Sequence, residues 1–153
     1  DVNDEQLERM VTKISVAAGC SDSDLSGVTV GALGLTFKAG TDDLRESPAL
    51  AIISELRAHG ADVRAFDPTT TGELTPHQTI VLDGIEIVSD PLDVADGADV
   101  IAVFTEWPDF AKIELAQLAA RSRPGTTIVD TRNLFEPDIV REAGFGYDGV
   151  GRR

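Results

Sequence analysis

The chain reads as a doubly wound α/β fold: a mainly parallel sheet with helices on both faces, preceded by one long N-terminal helix. Three observations predict it. Apolar strand-length runs alternate with amphipathic helix-length runs to the end of the chain, a pattern that calls for crossover connections rather than hairpins. Residues 99–104 are almost wholly apolar, as in a strand buried on both faces. Helix starts are written as capping pairs such as Ser47-Pro48 and Asp90-Pro91, and helix ends as glycines.

Taken in order, the first helix is predicted to start at Asn3, an N-cap with Gln6 three residues on. Its apolar stripe is Leu7, Met10, Val11, Ile14, Ala17 and Ala18, and Gly19 ends it. Residues 20–26 are a short polar link. An apolar strand follows over 28–35, and after a long polar loop Ser47 caps a helix that opens on Pro48, runs to His59 and stops at Gly60. The second strand, 62–66, is halted by Asp67-Pro68. Residues 69–78 are rich in turn formers and have no clear period, so no conformation is assigned to them. Then come a short strand at 85–88, a brief helix from Asp90-Pro91 through Ala95, the strand at 99–104, a helix at 112–120, a strand at 126–129, a helix at 137–143 closed by Gly144, and a last strand at 145–150. There is no internal repeat and no low-complexity segment.

With 153 residues and 42% hydrophobic content, the chain is long enough to bury one real core but short for an enzyme that must hold both a cofactor and a substrate. It begins at Asp1, with no basic segment leading into an apolar stretch, so an excised piece without a signal peptide is expected. No run approaches the roughly 18 apolar residues of a membrane span, and a single cysteine, Cys20, cannot form an internal disulfide; a reducing, cytoplasmic setting is expected. The balance of 13 Lys+Arg against 27 Asp+Glu, net −14, argues against nucleic acid or an anionic membrane as partner. A phosphate-bearing ligand would approach against that field, so it must be held by a few close, partly desolvated cations. That places weight on Lys38, Arg45 and Arg132.

A dinucleotide fingerprint would read Gly-x-Gly-x-x-Gly with a helix starting at once, so that bare amides cradle the pyrophosphate. Here Gly31-x-x-Gly34 is followed by a polar loop running to the cap at Ser47, and side chains reaching from that loop must replace the amides. The glycines have a second reading, close packing of strand against helix. Lys38, after the first strand, is a compact charge; Arg132, in Asp130-Thr131-Arg132-Asn133 after a late strand, is a planar fork. In a doubly wound sheet both emerge on the same edge, where ligands bind. The alternative is that each is an exposed loop cation or a partner for Asp42, Asp43 or Asp130. Phe37 is placed to lie against a sugar or base, or else to pack in the core; Trp107, after another strand, is read as structural. Asp42 and Asp43 lack a third ligand at metal-binding spacing and read as loop-ordering acceptors. Neither His59 nor His77 is placed as a general base, and Cys20 has no cationic neighbour in sequence, which makes it an inert thiol.

The run Gly34-Leu35-Thr36-Phe37-Lys38-Ala39-Gly40-Thr41-Asp42-Asp43-Leu44-Arg45-Glu46-Ser47-Pro48 resembles the start of the C-terminal nucleotide-sugar-binding domain of the UDP-glucose/GDP-mannose dehydrogenase family. Asp67-Pro68, Thr105-Glu106-Trp107 and Asp130-Thr131-Arg132-Asn133 follow in that family's order, and Val2-Asn3-Asp4 with the helix after it resembles the end of the family's central dimerisation helix. The resemblance implies a Rossmann-like domain at 24–153 with residues 1–20 as the end of that helix. It implies an enzyme that oxidises the C6 hydroxyl of a nucleotide sugar to a carboxylate in two NAD-dependent steps. By matching position, Phe37, Lys38 and Arg132 would contact the UDP moiety, and Arg45 would reach towards the NAD pyrophosphate across a domain interface. The partners implied are a UDP-sugar, the N-terminal and central domains, and a second subunit in a homodimer. The Gly-Gly-Ser-Cys setting of the family's catalytic cysteine is absent and Cys20 does not match it, so no catalytic residue is expected here and the fragment alone should bind without turning over. Two rivals are a receiver-like signalling domain, motivated by the Asp pair and strand-end Asp, and a purely structural dimerisation module, motivated by the apolar stripe of the first helix.

Overall fold

The computed structural model describes residues 2–20, 24–36, 39–40, 43–45 and 47–149, with the side chains of the first two of these left aside. Strands β1 (Thr29–Leu33), β2 (Asp62–Phe66), β3 (Glu86–Ile87), β4 (Val100–Val103), β5 (Thr127–Asp130) and β6 (Gly146–Gly149) form a 6-stranded sheet in the order β3-β2-β1-β4-β5-β6. Every pair is parallel, as the alternation of strands and helices requires. At the centre, Val30 lies opposite both Val63 and Val100.

Because side chains alternate across a strand, the sheet divides the interior in two. Val30, Ala32, Val63, Ala65, Val100, Ala102 and Val129 point into one core, covered by α1 (Val2–Ala17) and α2 (Pro48–Ala58). Leu33, Phe66, Ile101, Val103 and Ile128 point into the other. That second core is covered by a 3₁₀ turn, Pro91–Ala95, and by α4 (Pro108–Ala111), α5 (Leu115–Arg121) and α6 (Pro137–Glu142), which insert Val94, Phe110, Leu118 and Val140, all fully buried. Helix α1 is integral to the first core. It lies against α2, β4 and β5, and its Ile14 is fully buried there. With the α5 and α6 crossovers on the other face, α1 is what shields Ala102 and Val129 from water.

Several elements differ from the sequence expectation. Helix α1 is already helical at Val2, so Asn3 lies inside it rather than capping it; at its far end the amide of Cys20 returns to the carbonyl of Ser15, which closes the helix at Gly19 as predicted. The stretch without assigned conformation contains a 3₁₀ turn, Pro68–Thr70, and α3 (Pro76–Val81). A reciprocal capping box opens α3: Thr75 Oγ1 accepts from the Gln78 amide at 3.1 Å and Gln78 Oε1 accepts from the Thr75 amide at 2.9 Å. The Thr-x-x-Gln signal is in the sequence, but within the helix Ile80 and Val81 are exposed and only the C-cap Leu82 reaches the first core, so no inward stripe marks the helix. The helix expected at 112–120 starts later, as α5 at Leu115, and a separate short helix not expected from the sequence, α4, opens before it at Pro108; proline suits the first helical position, where its missing N–H costs nothing. The final strand is β6, with Val150 outside the described residues.

Gly31 meets the packing reading of its glycine pair. A Cβ there would collide with the Val94 carbonyl of the 3₁₀ turn, a backbone group that cannot step aside. Gly31→Ala is therefore expected to destabilise the fold by about 1–3 kcal/mol, as overpacking does. Urea unfolding measures this, and an unchanged midpoint would contradict the close approach.

Candidate functional site

β1 and β4 are neighbours in the sheet, yet the chain leaving β1 goes to α2 on one face and the chain leaving β4 goes to α4 on the other. Their departing loops part, and a crevice opens beyond the carboxyl ends of the two strands. Its rim is built from Gly34, Leu35 and Thr36 after β1, Asp67 after β2, Phe104 and Thr105 after β4, and Thr131 and Arg132 after β5.

The β1 side is tightly held. Gly34 has φ +100°, and a Cβ on it would strike the side chain and amide of Thr105; only glycine lets these two backbones meet. Thr105 Oγ1 donates to the Thr36 carbonyl at 3.4 Å. The fully buried Asp67 carboxylate accepts from the amides of Leu35 at 2.7 Å and Thr36 at 3.2 Å through Oδ2, and from the amide of Thr69 at 2.9 Å and its hydroxyl at 2.7 Å through Oδ1. At the far end of the loop, Ser47 Oγ donates to the Leu35 carbonyl at 2.6 Å while accepting from the Leu50 amide at 3.3 Å. The loop is thus pinned where it leaves β1 and where it enters α2. Phe37, Lys38 and Asp42 lie outside the described residues.

The β5 side presents Arg132. Its Nε donates to the Phe104 carbonyl at 3.0 Å, which lays an exposed guanidinium across the end of β4. Its terminal nitrogens make no ion pair with a carboxylate among the described residues. Asp130, the last residue of β5 and fully buried, bonds the Arg132 amide at 3.2 Å rather than the guanidinium. It also accepts from the amides of Leu134 at 3.0 Å and Phe135 at 2.8 Å and from the Tyr147 hydroxyl at 3.1 Å.

Arg45 is placed differently. It lies on the side of α3, lining a cleft of about 270 Å³ with Asp43, Leu44, Thr75, His77 and Gln78. Asp43 holds its amide at 2.9 Å, its Nε at 3.0 Å and its Nη2 at 3.3 Å, the loop-ordering role expected of that aspartate. The hydrogen bonds from Arg45 keep the Asp43 carboxyl below the usual carboxylate range. The structure therefore separates the two arginines: Arg132 lies over the end of β4, and Arg45 stands by α3 with its fork engaged by a carboxylate.

Other side chains singled out in the sequence pack against one of the two cores or stand at a helix end. Trp107 is half-buried against the second core, and its indole N–H is buried without a partner. His59 caps α2 and lies 3.8 Å from Glu55, while Cys20 is half-buried and packs against the first core. No described group of three or more His, Cys, Asp or Glu is placed to hold a metal, and no described helix is long and apolar enough to cross a membrane. The groove between α1 and α2, about 720 Å³, is edged by Asp4, Glu8 and Glu55 and so is unsuited to phosphate. Nor does the β1–α2 turn fit a dinucleotide: α2 opens on Pro48, which has no amide to offer, and the Leu50 amide is already taken by Ser47.

Sequence reasoning passed over Thr36, Asp67, Thr105 and Tyr147, and weighed Asp130 only as a partner for the guanidinium. Their signal was position: each polar residue sits at or just beyond the end of a buried strand, or in Tyr147 on the edge strand β6 facing one.

An all-parallel sheet with its strand order reversing at β1 and β4, and with a carbonyl-anchored arginine at the carboxyl-end rim, defines a Rossmann-like domain. The chain belongs to the UDP-glucose/GDP-mannose dehydrogenase family, with residues 31–137 matching that family's UDP binding domain. It is 35% identical over 151 residues to a UDP-glucose 6-dehydrogenase of Rhizobium meliloti, covering 99% of this chain and 33% of that protein. It is 36% identical over 151 residues to a UDP-glucose 6-dehydrogenase of Rickettsia bellii, with the same coverage. Among solved structures, a UDP-glucose dehydrogenase from the hyperthermophilic archaeon Pyrobaculum islandicum superposes with a TM-score of 0.76 at 29% identity, over 99% of this chain and 31% of that one. The chain spans about a third of the length of the relatives it matches.

The two aspartates predict different losses. Asp67→Ala strands the amides of Leu35, Thr36 and Thr69, and each buried donor left unpaired costs about 1–3 kcal/mol, so a large drop in the urea midpoint is expected. Asp43→Ala, whose pair with Arg45 is exposed, is expected to leave the midpoint where it is. Equal effects would show that Asp67 does not hold the loop.

Proposed function

We propose that this chain is the UDP-sugar-binding part of an NAD-dependent UDP-glucose 6-dehydrogenase, which as a whole oxidises UDP-glucose to UDP-glucuronate. The observation that carries the reading is Arg132: a guanidinium tied at Nε to the Phe104 carbonyl, with its terminal nitrogens in no ion pair among the described residues, at the switch point of the sheet. In an acidic chain such a cation is the natural anchor for a diphosphate.

In this reading Lys38 meets the diphosphate from the β1 loop, Arg132 meets it from the β5 loop, and Phe37 lies against the uridine or sugar. Two charged contacts from separate loops fix both position and direction, so that the sugar's C6 hydroxyl is presented to the parts of the enzyme that react with it. Residues 1–20 form the end of the central helix and 24–153 the UDP-binding domain. The N-terminal and central domains complete the enzyme, which pairs as a homodimer in a cytoplasmic setting. NAD, held outside this chain, accepts hydride when bound; Arg45 exchanges Asp43 for its pyrophosphate at the domain interface. The chain supplies binding and orientation but no nucleophile.

Titration calorimetry with UDP tests the site. A charge-assisted hydrogen bond is worth about 1.5–3 kcal/mol, so Arg132→Ala is expected to weaken UDP binding roughly ten-fold to a hundred-fold. Equal affinity in the variant would overturn the assignment. The chain alone is expected to make no NADH from UDP-glucose, and steady NADH production would refute the division of labour.

A further inference from the structure

Two loops of the fold carry the same Asp-x-Arg spacing, with opposite outcomes; a third instance, Asp62-Val63-Arg64, lies within strand β2. In Asp43-Leu44-Arg45 the aspartate takes both the amide and the guanidinium of the arginine two residues on. In Asp130-Thr131-Arg132 the aspartate takes the amide only, and the guanidinium goes to Phe104. The difference lies in what else reaches the carboxylate. Asp43 is only half-buried, and its carboxylate is open to both the amide and the guanidinium of Arg45. Asp130 is fully buried and saturated: Oδ1 serves Arg132 and Leu134, while Oδ2 serves Phe135 and the hydroxyl of Tyr147 arriving from β6. A carboxylate offers about four lone-pair sites, and here four neutral donors fill them.

We propose that Asp130, kept saturated by Tyr147, is the positioning residue that holds Arg132 available to a phosphate. The inference rests on the diphosphate reading of the rim. The carboxylate binds the loop backbone on both sides of Asn133, whose φ of 53° is the single left-handed non-glycine value among the described residues. Such a conformation persists where its surroundings over-determine it. Thr131 adds a clamp, its amide and hydroxyl both donating to the Val103 carbonyl at 3.1 Å and 2.6 Å. Backbone and Nε are thereby fixed, and the terminal nitrogens of the fork remain for a ligand. A merely structural aspartate would stabilise the turn without regard to Arg132; a positioning one acts on the ligand only through it.

The test is a double-mutant cycle on the full chain, with UDP as probe, reading affinity by calorimetry and melting temperature in parallel. Asp130→Asn turns two acceptor sites into donors that face donors, and it is expected to weaken UDP binding about ten-fold in the parent chain but less than about two-fold in Arg132→Ala. Leu118→Ala, a core truncation on α5, is expected to lower the melting temperature without moving the affinity. If Asp130→Asn does not fold, Tyr147→Phe carries the same cycle, with a loss of about three-fold that disappears in Arg132→Ala. Losses of equal size in both backgrounds, or no loss in the parent, overturn the proposal while leaving the diphosphate site standing. Should the parent and Arg132→Ala bind UDP equally, the site reading itself fails, and this inference fails with it.

Discussion

The parting of the chain at β1 and β4 is the constraint on which the rest of the structure depends. Two neighbouring parallel strands send their continuations to opposite faces, so neither loop can cover the gap between them. Backbone must nonetheless meet backbone at that gap, and Gly34 permits it by giving up the Cβ that Thr105 would otherwise exclude. Two groups at the rim take their places next to that meeting: Thr36 through Thr105, and Arg132 through the Phe104 carbonyl one residue earlier.

In a dinucleotide fold the same crevice is lined by glycines and bare helix amides. Here those amides are spent. Pro48 has none, Ser47 takes that of Leu50, and Asp67 takes those of Leu35 and Thr36. The positive partners for a ligand must then be side chains, and side chains on loops need anchoring if they are to bind without a large ordering cost. Asp67 and Asp130 provide it. Each is a buried strand-end carboxylate bonded by neutral donors, so each stiffens a loop, and Asp130 does so without pairing with the guanidinium of Arg132. In a chain with net charge −14, the proposed anion site depends on keeping structural anions such as Asp130 apart from the guanidinium of Arg132.

Much of the fold was legible because burial imposes period. The unbroken apolar runs of β1 and β4, buried on both faces, and the Ser47-Pro48 and Asp90-Pro91 caps are local signals with a direct physical cause. Where the sequence spoke less clearly, the reason was also physical. Helix α3 has a capping box but no inward apolar face, and α4 begins at a proline that reads equally as a breaker. Of the site, Arg132 and its edge followed from strand polarity. The role of Asp130 did not, because an aspartate two residues before an arginine predicts an ion pair; only the arrival of Tyr147 from β6 and the loop amides of Leu134 and Phe135 diverts it. Those partners lie up to 17 residues away, and spacing alone does not reveal them.

A crystal structure of the chain with UDP is the most direct measurement of the central claim, that cations from separate loops converge beyond the strand ends to hold a diphosphate. The account predicts phosphate oxygens within hydrogen-bond distance of the terminal nitrogens of Arg132 and of Lys38 Nζ, over the gap between β1 and β4. UDP seated in the groove between α1 and α2, or with its diphosphate touching neither side chain, would contradict it.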